Sequence, residues 1–408
     1  MSRSALFVVL FTVLLVSTGQ GLVFPLFSAM LFDPHSTLVP SSTSEGTRGL
    51  LLGILLSSQP VAQMVVAPWI GRFSDRRGRR PAILCCLGVG ILSALGSAMS
   101  IHVGCIIGLI LFRSLMGVSF MSFALVNTCV VDASGETDRG RRLAWIHSAY
   151  GAGFALGPFL GGLLAGEVIF STSSFVRPFI VSALIIFINI VCVLFWLPET
   201  RPKEEKEKEE CPRSLFSVDK TVLLFLLSIF CFCFGWSMYI EFIPVWWIRR
   251  FGMSMSEVGG YSSCFGFWYV IFCSFFVGTM LKLFRPQLLF ERASLMLALL
   301  FVPVFFITVS SLFLLLIPFQ ILCIAFLFPL SALIISEWAA PDDRGRLIGL
   351  QASAESFGLG LSPCLAGPLL GVHLLMPTAV AIICLSLASM LMRSVRKRGG
   401  RVEIQTVS

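Results

Sequence analysis

The chain is 408 residues long, 56% hydrophobic and only 13% charged, with a mean hydropathy of +0.91. A soluble domain carries about 25% charged residues, so these proportions exclude an ordinary water-soluble domain. They fit a bilayer, where lipid tails solvate Leu, Phe and Val directly. The net charge of +8 has no basic soluble domain to occupy, so nucleic acid is not an expected partner and the charge belongs to loops at a membrane surface.

Hydropathy predicts twelve transmembrane helices, near residues 5–31, 49–70, 82–100, 103–131, 143–166, 175–197, 219–247, 258–281, 287–309, 311–336, 347–371 and 374–392. Most carry the roughly 20 apolar residues that a span requires, and membrane helices tolerate the Gly and Pro inside them. The first is too long and too marked by Gly and Pro for a cleaved signal peptide, and no small-residue cleavage site follows it, so it is expected to stay. Lys and Arg concentrate in alternate loops, leaving Arg48, Arg177, Arg249 and Arg250 on the other side. The positive-inside rule then places both termini in the cytoplasm.

Between the second and third spans stands Gly71-Arg-Phe-Ser-Asp75-Arg-Arg-Gly78-Arg79-Arg80-Pro81. The glycines suit a tight turn between two helices, and the cations hold the loop in the cytosol. Asp75 can accept from a helix N-terminus or pair with Arg79. A simple positive-inside anchor explains most of the arginines but neither Asp75 nor the glycines. Arg113 lies roughly ten residues into the fourth helix, near the midplane, where an Arg costs about 2.5–3.5 kcal/mol on insertion scales. A functional role is the default for such a charge; a clamp on backbone carbonyls is the structural alternative. In the fifth helix Gly153, Gly157, Pro158, Gly161 and Gly162 read as a packing face, with small residues that let a neighbour approach and a proline that bends the helix.

The one long hydrophilic stretch, 198–220, contains the mixed-charge run 203–210 without an apolar residue and reads as a solvated linker. It divides the chain into an N-terminal six-helix bundle (1–198), a charged cytoplasmic linker (199–218), a C-terminal six-helix bundle (219–392) and a basic cytoplasmic tail (393–408). The halves echo each other at a constant offset of about 205 residues: Asp132 with Glu337, Arg139-Gly-Arg141 with Arg344-Gly-Arg346, and Gly153 to Gly162 with Gly358 to Gly367. A parallel repeat of this kind is a transporter architecture with its substrate site between the halves.

Two acids are embedded in the second half. Glu355 lies about eight residues into the eleventh helix, roughly 12 Å deep at about 1.5 Å per residue, on a stripe with Gly358 and Ser362. Glu241 precedes Pro244 by three residues, near Trp246 and Trp247; its structural alternative is an interfacial acid paired with Arg249 or Arg250, with the two Trp as an aromatic belt. The 13 Cys and four His lack metal-ligand spacing, so no metal and no cofactor is expected, and the Cys read as small buried hydrophobes. There is no nucleotide-binding glycine loop and no nucleophile with a positioned base, so the chain does not read as an enzyme.

The segment 71–81 resembles the loop signature of the major facilitator superfamily. Leu111-Phe-Arg113-Ser-Leu-Met-Gly117 resembles its fourth-helix motif, Gly153 to Gly162 the fifth-helix motif of its drug:proton antiporter branch, and Leu197-Pro-Glu199-Thr200 the end of the sixth helix. Gly19-Gln-Gly21-Leu-Val-Phe-Pro25 resembles the first helix of tetracycline and multidrug exporters. Two departures stand out: Val16 occupies the place of an embedded helix-one acid, and Lys282 the place of the acid in the second half's counterpart loop.

The resemblance implies an all-α fold of twelve transmembrane helices in two halves and, as function, proton-coupled efflux of a small amphipathic molecule by alternating access. Alternatives are a proton-coupled carrier of a metabolite, sugar or siderophore in either direction, and a non-transporting membrane sensor on the same fold. By resemblance, Arg113 takes part in proton coupling and Asp75, Arg79 and Asp132 form a cytoplasmic latch, with Gly71 and Gly78 in the same motif. Gln20 and Tyr150 are cavity candidates. Because neither Gln20, Arg113 nor Tyr150 titrates usefully at neutral pH, Glu355 is expected to be the principal proton carrier, with Glu241 next. Compact loops and the absence of an Asn-x-Ser/Thr sequon favour a bacterial inner membrane. A monomer is expected, with substrate, protons and lipid as its partners.

Overall fold

The computed structural model describes residues 3–32, 38–40, 42–132, 136–165, 172–199, 219–338 and 344–405. Its helices in chain order are α1 (Arg3–Val23), α2 (Leu26–Phe32), α3 (Glu45–Arg77), α4 (Arg79–Val103), α5 (Ile106–Asp132), α6 (Glu136–Ala165) and α7 (Thr172–Trp196), followed by α8 (Lys220–Ile240), α9 (Ile243–Phe251), α10 (Met255–Phe275), α11 (Val277–Leu283), α12 (Pro286–Phe301), α13 (Ser310–Trp338), α14 (Arg344–Val372) and α15 (Met376–Gln405). Among the described residues, eleven helices or helix pairs are long and apolar enough to cross a membrane. The remaining predicted span, the eleventh, is α14, whose Gln351, Glu355, serines and glycines dilute its apolarity over 29 residues. Together they make the twelve-helix, two-half fold.

Three spans that hydropathy reads as continuous are broken. The first divides at Phe24 and Pro25 into α1 and α2, the seventh at Glu241 and Phe242 into α8 and α9, and the eighth at Phe276 into α10 and α11. In the first two breaks a proline stands at or just after the gap, and its missing N–H removes a rung of the helical ladder. The ninth span also ends early, passing from α12 into a tighter 3₁₀ turn at Val302–Phe306.

Within the first half, α6 lies against α1. A Cβ added at Gly157 would come 2.6 Å from the Thr18 carbonyl oxygen, and one at Gly161 would meet the Leu22 carbonyl. Gly153 faces Leu14 and Ser17. The second half repeats this: α14 lies against α8, and a Cβ at Gly358 would stand 2.8 Å from the Phe230 carbonyl oxygen. Small residues thus bring backbones together where lipid offers no hydrophobic drive for association.

The halves meet along two seams, α3 on α14 and α6 on α10. Here Gly162 faces Met255 and Gly259, while its repeat equivalent Gly367 faces Gly49. Gly46, Gly49 and Gly53 oppose Gly371, Gly367 and Pro363, so the α3–α14 seam is tight at the end where α3 begins. At that end Arg249 Nη1 pairs with Glu45 Oε2 at 2.7 Å, and its guanidinium lies 4.6 Å from the Phe32 ring. Arg48 Nη1 donates to the Leu31 carbonyl at 2.6 Å and Nη2 to that of Pro40 at 3.0 Å, tying the α2–α3 connection to the helix.

Candidate functional site

The helix breaks bring polar groups into the region between the halves. Arg113 on α5 is only 6% exposed, and its guanidinium lies 4.6 Å from the Phe27 ring of α2. Its Nε and Nη1 have no hydrogen-bond partner among the described residues. The carbonyl clamp that was the structural alternative for Arg113 is therefore not made by these two nitrogens. Glu241 caps the C-terminus of α8 at the break, and its Oε2 is buried and likewise without a partner. Arg113 and Glu241, from opposite halves, lie within electrostatic reach of each other, as do Glu241 and Tyr150 of α6. Gln20 Oε1 on α1 is a further buried acceptor with no partner.

Rings line this region on the first-half side. Phe123 and Tyr150 stand 5.3 Å apart, Tyr150 and Phe154 stack at 6.3 Å, and Phe154 meets Phe24 at 5.7 Å. Phe120 packs on Phe123 at 5.7 Å. This run of rings was not foreseen beyond Tyr150. The i, i+3 and i, i+4 spacings of Phe120 with Phe123 and of Tyr150 with Phe154 were available as a signal.

Glu355 differs. Its Oε1 accepts from Ser331 Oγ of α13 at 2.7 Å and from Gln351 Nε2, one turn earlier on α14, at 2.8 Å. Gln351 Nε2 also reaches Ser331 Oγ at 3.2 Å. Arg113 lies near Glu241, and Arg249 pairs with Glu45, so the Arg249 pairing that was the structural alternative for Glu241 is not made. In both cases the helix-seven break sets the outcome, placing Glu241 at the gap between α8 and α9 while α9 carries Arg249 to the seam. Trp246 and Trp247 are buried rather than arranged as a surface belt, and Trp247 packs on Tyr261, Phe265 and Phe313.

At the far end of α3, Asp75 Oδ1 pairs with Arg79 Nη1 at 2.5 Å, and the same Nη1 donates to Ser74 Oγ at 3.0 Å. The N-terminus of α4 is capped instead by Glu199, whose Oε1 and Oε2 accept from the backbone N–H groups of Arg79 at 2.8 Å and Arg80 at 3.2 Å. Gly78 makes the turn with φ +106°, and a Cβ there would strike the Glu199 carboxylate, so both conformation and space require glycine. Gly71 corrects the expectation of two turn glycines: it lies inside α3, which runs to Arg77 because the charged segment continues the helix and ends with Arg76 and Arg77 at its negative pole. The side chain of Asp132, at the end of α5, lies outside the described residues. Glu199 stood in a quoted motif without an assigned role.

The fifth-helix residues divide by partner. Gly153, Gly157 and Gly161 pack on α1 within one half, whereas Gly162 and the Pro158 carbonyl face Gly259 of α10 across the seam. Only these last two bear directly on how the halves seal. Among the described residues no group of His, Cys, Asp and Glu gathers to hold a metal ion.

Two repeated six-helix halves thus meet with one buried ionisable residue from each, Arg113 and Glu241, near each other at their junction, the place where proteins built from such repeats hold their substrate. The Major Facilitator Superfamily profile matches residues 9–319, and the chain belongs to that superfamily. It is 28% identical over 276 residues to the class B tetracycline resistance protein of Escherichia coli, covering 65% of this chain and 63% of that protein. It is 24% identical over 267 residues to multidrug resistance protein 2 of Bacillus subtilis (strain 168), covering 63% and 62%. The matched region thus spans under two thirds of the length of these relatives. The crystal structure of the human organic anion transporter MFSD10 (TETRAN) superposes with a TM-score of 0.70 at 20% identity, over 96% of this chain and 98% of that one. That likeness establishes the shared fold.

Proposed function

We propose that this chain is a proton-coupled secondary transporter of a small amphipathic molecule, working by alternating access in a bacterial inner membrane. The observation that carries this reading is the buried Arg113–Glu241 relation across the two halves: an ionisable pair in lipid is costly and marks a substrate or proton pathway. Residues 1–198 and 219–392 are the moving halves, and both termini face the cytoplasm. With that orientation the tight Gly49–Gly367 and Glu45–Arg249 contacts lie on the outer side, which supports reading this state as closed outward. Asp75 and Arg79 act as the latch at the cytoplasmic end. Gln20, Tyr150 and the neighbouring rings contact substrate.

The names of the bacterial relatives support export in exchange for protons. Those names and that of the human structure differ in cargo, so fold alone does not choose the substrate. A second reading, a carrier that takes proton and substrate together in either direction, is favoured by one specific observation: Arg113 and Glu241 together sum to zero charge. The geometry favours Glu241 over Glu355 as the group that titrates, because Glu241 has an unpartnered oxygen. The test is substrate-driven proton flux in proteoliposomes across a panel of drugs and metabolites. A substrate that moves protons with wild type and not with Glu241→Gln supports the proposal; proton flux unaffected by that substitution sinks it.

A further inference from the structure

We infer that the region between Arg113 and Glu241 is a joint site for one proton and one aromatic organic anion, loaded together. This rests on the second reading above and names its substrate class. The anion is held by Arg113, and the proton sits on Glu241.

Three features of the site converge on this ligand. Arg113 is a buried cation with two nitrogens, Nε and Nη1, that donate to nothing among the described residues. Such donors are satisfied by a carboxylate, sulfonate or phosphate oxygen and not by a cation. Glu241 Oε2 is buried and equally unpartnered, so it has room for a proton. The rings of Phe24, Phe154, Tyr150, Phe123 and Phe120 run beside the pair and offer faces to a flat apolar body.

Charge balance then sets the sense of coupling. With the site empty, Arg113 cationic and Glu241 ionised sum to zero. A proton alone leaves +1, and an anion alone leaves −1. Proton and anion together return the sum to zero. Reorienting a charged core through a low-dielectric interior is penalised, so the empty and doubly loaded forms are the ones that cross. The result is electroneutral one-to-one co-transport: the proton bound on Glu241 at one side is released at the other along with the anion. Exchange of a cation for a proton would instead require the core to carry +1 in both crossings.

The other ionisable groups facing the pair do not upset this sum. The phenol groups nearby belong to Tyr150 on α6 and Tyr269 on α10. Glu355 on α14 accepts from Ser331 and Gln351 through Oε1. His147 on α6 faces the Phe123 ring, with centroids 6.3 Å apart. The segment α2 carries no ionisable group.

The experiment uses two permanently charged aromatic probes, 2-naphthalenesulfonate and N-methylquinolinium, with the full chain in proteoliposomes and the membrane potential clamped by potassium and valinomycin. An acid exterior should drive naphthalenesulfonate inward, about tenfold at equilibrium for each pH unit, with protons entering one for one and no response to the potential. In detergent, naphthalenesulfonate binding followed by tryptophan fluorescence should tighten as pH falls, because protonating Glu241 removes the negative charge that repels the anion. Glu241→Gln should bind at the tight limit at every pH, still exchange the probe, and lose pH-driven accumulation. Arg113→Ala should weaken binding at least about tenfold, and Arg113→Lys should recover part of it. Preference for N-methylquinolinium with protons moving the opposite way would overturn this inference and support export by exchange. Absence of naphthalenesulfonate binding by folded wild-type protein, or pH-dependent binding by Glu241→Gln, would overturn it as well.

Discussion

Glu241 and Glu355 are the same residue type, both embedded in the second half and both carried by helices that touch the region between the halves. Their surroundings differ. Glu355 sits inside continuous α14, where the helical register supplies Gln351 one turn away and the neighbouring α13 supplies Ser331. Glu241 sits where α8 stops, and the break that exposes it also deprives it of a side-chain partner on its own helix. Depth alone therefore does not define a proton site. A carboxyl with one oxygen already held by neutral donors is the poorer candidate, whereas one facing an unpartnered cation from the opposite half is placed to sense which side the halves open toward.

The sharpest way to break this comparison is to neutralise each acid in turn. Glu241→Gln should abolish proton-driven accumulation, a loss of at least about tenfold, while keeping substrate exchange. Glu355→Gln should retain most of the pH-driven gradient, because its amide can still bond Ser331. Parallel uptake assays under an imposed pH gradient decide the matter. The opposite ranking would return the proton to Glu355, the residue that depth in the sequence favours.

A second substitution leaves both acids in place and disturbs only the packing that presents Tyr150. Gly157→Leu forces a side chain into the Thr18 carbonyl and Gly21, and overpacking of this kind costs about 1–3 kcal/mol. Transport should fall to background as α6 is pushed off α1 and carries Tyr150 away from Glu241. Full activity with unchanged coupling would show that this packing does not set the geometry of the pair.

The third comparison is with a charge pair outside the apolar interior. Asp75 is largely exposed and pairs with Arg79, so as a surface ion pair it contributes about 0–1 kcal/mol to stability. If the pair is a latch, Asp75→Asn should leave thermal unfolding nearly unchanged and reduce the transport rate severalfold. A normal rate in reconstituted vesicles would remove the latch from the mechanism.

Much of the architecture was legible in the sequence because its signals are local and repetitive: apolar runs and the shared spacing of Gly153 to Gly162 with Gly358 to Gly367. The glycine stripe could be read as close packing, though not which neighbour it packs on, since that depends on contacts far apart in the chain. Arg113, Glu241 and Glu355 stood out as charges among apolar residues. Their partners did not, because hydropathy reads helix seven as continuous and so hides the gap at Glu241. Glu199 could not be assigned as the cap of α4, lying more than a hundred residues from Arg79. Gln351 was within reach of helical spacing, as the residue four before Glu355, and went unread because a neutral amide carries no cost that demands explanation.

That amide gives the smallest expected effect and the finest control on the comparison. If Glu355 is structural, its partners hold α13 to α14 and do nothing for coupling. Ser331→Ala removes one hydroxyl donor from Oε1 and leaves Gln351 in place. Interhelical hydrogen bonds in membranes contribute about 0.6 kcal/mol on average and up to about 1.7, so the expected loss is a lowering of the unfolding midpoint by a few degrees. The pH dependence of transport should not move, because the protonation of Glu241 does not pass through Ser331. A wild-type control and Gln351→Leu bracket the result: Gln351→Leu removes the second donor and should destabilise further with the same unaltered pH profile. A shift of that profile in either variant, at preserved stability, would mean that Glu355 titrates during the cycle and that the distinction between the two acids fails.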